Sequence, residues 1–252
     1  MTGRDSADFA GRTVAITGAG RGVGRALALL FADAGAIPIL IGRDEKALRA
    51  TAAAIAGRNG PAAPWFVADL AAPAEIERAC AAIGERHPVI DILVNNAATW
   101  LPGRLEELEA ADIAATVAAT VTGTILVTKG LLAALRASQA ADIVTMISTS
   151  GTAVSPFVSG HSAFDATRHA QHGFVEALRE ELRPAGIRVI ALYPPDFVGA
   201  QPDDASWDRR EGRRDSGLCL TARDVAETIL FALRRPRIAT LTSIVLDNNR
   251  TA

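Results

Sequence analysis

The chain is poor in three residue types that carry much of enzyme chemistry. It has one tyrosine, Tyr193, two lysines, Lys46 and Lys129, and two cysteines, Cys80 and Cys219. The position four after the tyrosine is Phe197, so no tyrosine stands four residues ahead of a lysine. Any mechanism that needs such a pair is excluded. Two cysteines that far apart make no local metal cluster, and no metal site is expected. So few thiols in 252 residues suit a reduced, cytoplasmic protein. An excess of one charge is also lacking. A formal net charge of −2 argues against a general nucleic-acid binder. Long apolar runs are absent too. The alanine-rich stretch at 108–137 is interrupted by Asp112, by threonines and by Lys129, so no membrane span is expected. The polar start, MTGRDSADFAGR, has no apolar export segment.

What is present is ample core material. Hydrophobic residues are 49% and charged residues 21%, which excludes a disordered chain. Short apolar runs at 13–17, 37–41, 65–68, 92–95, 143–147, 188–193 and 243–246 are mostly continuous. Continuous runs suit strands covered on both faces, as in a parallel sheet. Helical spacing fills the gaps at 24–34, 44–56, 74–85, 110–136, 163–183 and 222–233. The alternation predicts a single α/β domain over residues 1–252, a doubly wound parallel sheet of about seven strands with helices on both faces. The nucleotide-binding half is placed at about 1–150 and the substrate-facing half at about 151–252. The stretch 199–220, rich in Asp, Arg, Ser and Gly, has little pattern and reads as a lid or a solvated loop.

The first strand runs into Thr17-Gly18-Ala19-Gly20-Arg21-Gly22-Val23-Gly24 and then a helix. Glycines there permit a sharp turn and close approach of a pyrophosphate, and the helix start offers free N–H groups to its charge. The pattern predicts a Rossmann-like dinucleotide site. The second strand ends Ile41-Gly42-Arg43-Asp44. Arg43 with Arg21 suits a 2′-phosphate, so NADP(H) is expected over NAD(H), while Asp44 remains an alternative ribose contact. Asp69 is placed to meet an adenine amino group, to cap the helix before Pro73, or both.

On these residues the chain resembles the short-chain dehydrogenase/reductase family along essentially its whole length. The glycine turn fits that family's Thr-Gly-x-x-x-Gly-x-Gly pattern. Asn95-Asn96-Ala97-Ala98 is similar to its Asn-Asn-Ala-Gly segment. Phe164-Asp165-Ala166-Thr167-Arg168-His169-Ala170 resembles its active-site helix, and Tyr193-Pro194-Pro195 stands where it has a Pro-Gly turn. The resemblance implies hydride transfer between a nicotinamide and a carbonyl or alcohol carbon. It implies cofactor contacts from Gly18, Gly20, Arg21, Gly22, Val23, Gly24, Arg43, Asp69, Leu70, Asn96, Ala97, Arg168 and Pro194. It also implies a homodimer or homotetramer built on helices 110–136 and 163–183.

The departures fall on the catalytic places. Phe164 replaces the family's tyrosine and Arg168 its lysine. Thr120 replaces its asparagine. The serine place lies within Ser148-Thr149-Ser150, with Ser150 nearest the usual spacing and Thr149 next. Arginine carries charge and donates to hydroxyls, but it does not relay protons. Tyr193 ends a different strand and is no substitute. His161 is the candidate proton donor, sharing a face with Phe164 and Arg168 if the helix extends back to it, and a surface histidine otherwise. Asp165 is a weaker candidate. His169 and His172 read as packing or interface residues. Trp100, Phe157 and Trp207 suggest a small apolar or ring-bearing substrate, or ordinary packing. Three readings stay open: an NADP(H)-dependent oxidoreductase with a changed proton donor, a non-redox enzyme such as a cyclase, isomerase or dehydratase, and a nucleotide-binding homologue without turnover.

Overall fold

The computed structural model describes residues 9–152, 160–204, 207 and 220–248. Seven strands form one sheet: β1 Thr13–Thr17, β2 Ile37–Gly42, β3 Trp65–Val67, β4 Ile92–Asn95, β5 Asp142–Met146, β6 Arg188–Tyr193 and β7 Ser243–Val245. Their order is β3-β2-β1-β4-β5-β6-β7, and every pair is parallel. This is the expected doubly wound sheet.

The continuous apolar runs are explained by the two covering layers. Val14 and Ile16 of β1, Val144 of β5 and Ile190 of β6 face one layer, with α1 (Gly22–Asp33) and α7 (Ala222–Leu233). Ala15, Ile143 and Val189 face the other, with α3 (Pro73–Arg86), α5 (Gly123–Ala137) and α6 (Ser162–Leu182). Side chains alternate along a strand, so a strand buried on both faces has no polar positions to spare. The edge strands show the contrast. In β3, Trp65 and Val67 are exposed and only Phe66 is buried. α2 (Glu45–Gly57) completes the frame.

The helix expected at 110–136 is interrupted. α4 (Ala110–Val117) and α5 are joined by a π-helical turn, Ala118–Thr122. Such turns leave a carbonyl out of the regular ladder and recur at functional sites. By length and composition the whole stretch Ala110–Ala137 would suffice to cross a membrane. In the fold it packs on α3 and the sheet, with Val127, Leu131 and Leu135 buried.

The strand order reverses between β1 and β4. Loops leaving the carboxyl ends of these strands part there, and the crevice is the usual ligand place in such sheets. At the opposite end, the carboxylate of Asp142 is wholly buried among Arg12, Arg188 and Arg237. Arg188 meets it with two nitrogens, Nε at 2.6 Å and Nη2 at 3.1 Å.

Candidate nucleotide cleft and adjoining cavity

A cleft of about 680 Å³ opens at the carboxyl ends of the strands. Thr17 organises its floor. The Thr17 hydroxyl accepts the amides of Asn96 and Ala97, each at 3.0 Å, and Asn96 Nδ2 donates back to the Thr17 carbonyl at 2.9 Å. The β1 and β4 loops are thereby held together. Gly18 has φ +71°, which favours glycine. A Cβ on Gly24 would stand 2.3 Å from the Gly18 carbonyl oxygen and 2.5 Å from Asn96 Nδ2. Gly24 is therefore needed for packing beneath the turn and, unlike the other glycines of the motif, does not line the cleft. The start of α1 has Arg21 at its cap with no side-chain hydrogen bond and no acidic residue in the first turn. Its amides are left for an anion.

Gly18, Gly20, Arg21, Gly22, Val23, Arg43, Asp69, Leu70, Asn96 and Ala97 all line the cleft, as does Asp44. Asp44 is engaged: its Oδ1 accepts the Ala47 amide at 3.0 Å and caps α2. Asp69 is not the cap of α3, which is Ala72; its Oδ1 turns back to the Ala71 amide at 2.9 Å. The capping role expected for Asp69 is corrected on that point, because the turn places it three residues ahead of the cap.

Arg168 and Pro194 lie apart from this group. They line an adjoining cavity of about 510 Å³ with Ser148, Thr149, Ser150, His161 and Phe164. The two spaces share Asn96, Ala98, Trp100, Met146 and Phe197. The serine segment forms a single 3-10 turn, Thr149–Gly151, with Ser148 Oγ accepting the Ser150 amide at 3.2 Å. Gly151 brings that turn against the backbone of Arg168, where an added Cβ would come within 2.8 Å of its carbonyl oxygen.

His161 does not sit on the helix. α6 starts at Ser162 and His161 is its cap residue, so of the two alternatives the helical face shared with Phe164 and Arg168 is not the one found. Contact is made through a third ring instead. Trp100 lies edge-on to both His161, at 5.1 Å between centroids, and Phe164, at 4.5 Å. The His161 Nδ1 lies 3.0 Å from the Gly103 amide nitrogen and 3.4 Å from the Gly103 carbonyl oxygen, so it meets an acceptor or a donor according to its tautomer.

Thr120 is fully buried in the π-helical turn and does not line the cavity. Its hydroxyl accepts the Thr99 amide at 3.3 Å. Its carbonyl accepts Thr124 Oγ1 at 2.6 Å and Gln171 Nε2 at 3.1 Å. Gln171 was not legible as a site residue. It lies one turn beyond Arg168, and its Oε1 accepts Arg168 Nη1 at 2.9 Å. Only its spacing of three from Arg168 hints at this.

Arg168 itself is 6% exposed, and its guanidinium lies 4.6 Å from the Phe164 ring centroid. Its Nε is buried without a partner. Burial lowers its pKa to about 10, which leaves it charged at neutral pH. Tyr193 is buried on the far side, its hydroxyl hydrogen-bonded to His172 Nδ1 at 2.7 Å. His169 Nδ1 lies 3.0 Å from the Asp165 carbonyl oxygen on the helix surface. Phe157, Cys219 and most of the 199–220 stretch fall outside the described residues. Among the described residues no group of three or more His, Cys, Asp or Glu side chains could hold a metal ion.

The family model described as short chain dehydrogenase matches residues 12–205. The chain belongs to this family. Among relatives of this short-chain dehydrogenase, the mouse protein named Dehydrogenase/reductase SDR family member 7B is 32% identical over 194 residues. That match covers 76% of this chain and 59% of the mouse protein. A Mycobacterium tuberculosis protein named Probable oxidoreductase EphD is 29% identical, over 94% of this chain and 42% of its own length. The chain thus spans about half the length of these two relatives. A solved 3-ketoacyl-(acyl-carrier-protein) reductase from Brucella melitensis, complexed with NADH, is 30% identical with a TM-score of 0.80, over 96% of this chain and 99% of that one. A short chain dehydrogenase from Burkholderia cenocepacia in complex with NADP is 28% identical with a TM-score of 0.79, over 97% and 100%. Family model, fold and relatives agree on the short-chain dehydrogenase family.

Proposed function

We propose that the chain is an NADP(H)-dependent oxidoreductase acting on the carbonyl or alcohol of a small substrate with an apolar part, with His161 as proton donor. The observation that carries the cofactor reading is the charge at the ribose end of the cleft. Arg21 and Arg43 both line it, while the neighbouring carboxylate of Asp44 is committed to the cap of α2. Two guanidiniums favour a 2′-phosphate; a carboxylate spent on a cap does little to favour a free 2′-hydroxyl. The glycine turn fits the pyrophosphate, since it has no side chains in the way and the start of α1 is uncapped by any side chain.

Bound NADPH would supply a hydride to a carbonyl carbon. Ser150 or Thr149 would donate a hydrogen bond to the carbonyl oxygen. His161, as its imidazolium, would hand one proton to the alkoxide, become the neutral ring and be reprotonated from solvent, the protonated Nδ1 facing the Gly103 carbonyl at 3.4 Å. Arg168 would hold positive charge beside that oxygen without giving up a proton. Trp100 and Phe164 would pack the apolar part.

NADPH and NADH fluorescence titrations test the cofactor; tighter NADH binding would sink the NADP(H) reading. NADPH oxidation with a ketone and aldehyde panel tests turnover, and His161→Ala should abolish it. The double variant Phe164→Tyr with Arg168→Lys should create or raise carbonyl reduction. A second reading, a non-redox enzyme or a protein without turnover, is supported by the joint replacement of the family's tyrosine, lysine and asparagine by Phe164, Arg168 and Thr120. It wins if NADPH binds but neither wild type nor the double variant oxidises it. A homodimer or homotetramer through α4, α5 and α6 is part of the proposal, supported by Val117 and Ile125 exposed on the first two of these helices. Only monomer by size exclusion at micromolar concentration would remove it.

A further inference from the structure

Buried charges in proteins are normally paired, because leaving water costs an isolated ion more than the interior returns. Arg168 breaks that rule on the wall of the cavity. No carboxylate lies within ion-pair distance of it among the described residues, although Asp196 and Asp247 line the same cavity. Its protein neighbours are the Phe164 ring and the Gln171 amide. Both are neutral.

Gln171 explains how the guanidinium is held. It is 1% exposed, and its amide is used at both ends. Its oxygen accepts Arg168 Nη1, while its nitrogen donates to the Thr120 carbonyl and to Thr124 Oγ1, each at 3.1 Å. Thr128 Oγ1 donates to the Thr124 carbonyl at 2.8 Å and accepts Asn95 Nδ2 at 3.0 Å. This buried strut fixes Arg168 against the π-helical turn. A glutamate of the same length would neutralise the guanidinium but, as an acceptor only, could not donate to the Thr120 carbonyl. The amide orients the charge and leaves it uncompensated.

We infer that the cavity takes a substrate bearing a carboxylate, which supplies the missing counter-charge to Arg168, with Gln171 as the positioning residue that keeps the guanidinium available. This rests on the proposal that the cavity receives the substrate of a nicotinamide-dependent reaction. A 2-oxo acid with an apolar or aromatic tail fits, its tail against Trp100 and Phe164.

The test pairs 2-oxo acids with their methyl esters, from pyruvate to benzoylformate, so that only the charge differs. Binding is measured by calorimetry on the full chain saturated with NADPH. NADPH binding is measured first and alone; its failure defeats the cofactor reading and is seen separately. Given that binding, at least one acid should bind about tenfold or more tighter than its ester, the order expected of one charge-assisted hydrogen bond. Gln171→Glu should remove that preference by pairing Arg168 internally, so that acid and ester bind alike. Arg168→Met should remove it by deleting the charge, and serves if Gln171→Glu fails to fold. Equal binding of acids and esters, binding of neither, or a preference that survives in Arg168→Met overturns the inference.

Discussion

Gly24 shows how much a single hydrogen in place of a methyl group decides. Its missing side chain lets the Gly18 carbonyl and Asn96 Nδ2 close over α1. Gly24→Ala should cost about 1–3 kcal/mol, since the obstructing atoms include backbone that has little room to yield. Urea denaturation checks the stability and an NADPH titration should show weakened binding. Native stability in this variant would mean the turn is looser than its geometry implies. Arg168 and Phe164 make the complementary point. Their types were plain from the sequence, and so was their departure from the family pattern. Their relation was not, because a cation over a ring and a bond to Gln171 depend on rotamers and on a helix face. Position in the motif identified the residues; tertiary contact defined their state.

At the scale of the element, caps and turns separate the roles of neighbouring residues. Asp44→Ala should lose about 1 kcal/mol through the cap of α2, while NADPH affinity stays near wild type. Arg43→Ala should do the reverse, leaving the melt alone and weakening NADPH. If Asp44→Ala weakened the cofactor as strongly, the aspartate would belong to the ribose site after all. A second tie joins α1 to the segment after β6. Arg25 Nη1 and Nη2 reach Asp203 at 2.8 and 2.6 Å, and Gln201 Nε2 donates to the Gly22 carbonyl at 3.0 Å. The hydrogen bond from Arg25 holds the Asp203 carboxyl at about 2, below its ordinary 3.8. A depressed carboxyl supports its contact above the ordinary value and loses it as pH falls towards the lower one. The tie should therefore be whole above about pH 4 and gone near pH 2, with a small effect because Asp203 is solvent-exposed. Asp203→Asn should mimic the acid state at neutral pH, seen as faster amide exchange at 201–204. No change in exchange would show that Gln201 alone holds the segment.

The strand–helix alternation and the glycine turn were legible at the scale of the whole molecule because each is a local pattern repeated along the chain. The start of α6 was legible to within a residue, at 163 against Ser162, but spacing alone left open whether His161 belonged to the helix. The π-helical turn left no mark in apolar spacing. Nor did the Asp142 cluster, whose arginines come from positions 12, 188 and 237 and meet only when the sheet is assembled. That cluster fastens the end of the sheet remote from the cleft. Asp142→Ala should cost about 3–5 kcal/mol, since it leaves the buried Arg188 without its counter-ion. The loss should appear in thermal unfolding with NADPH affinity of the folded fraction unchanged. A fall in affinity instead would mean that the two ends of the sheet are coupled.

The lone tyrosine has a practical consequence. With Tyr193 the sole phenol in the chain, the ultraviolet absorbance of phenolate reports one site and nothing else. Burial raises its pKa above the usual 10, and the hydroxyl is bonded to His172 on α6. An alkaline spectrophotometric titration therefore follows the docking of α6 on β6, giving this protein a built-in optical gauge of the helix that carries Phe164, Arg168 and Gln171.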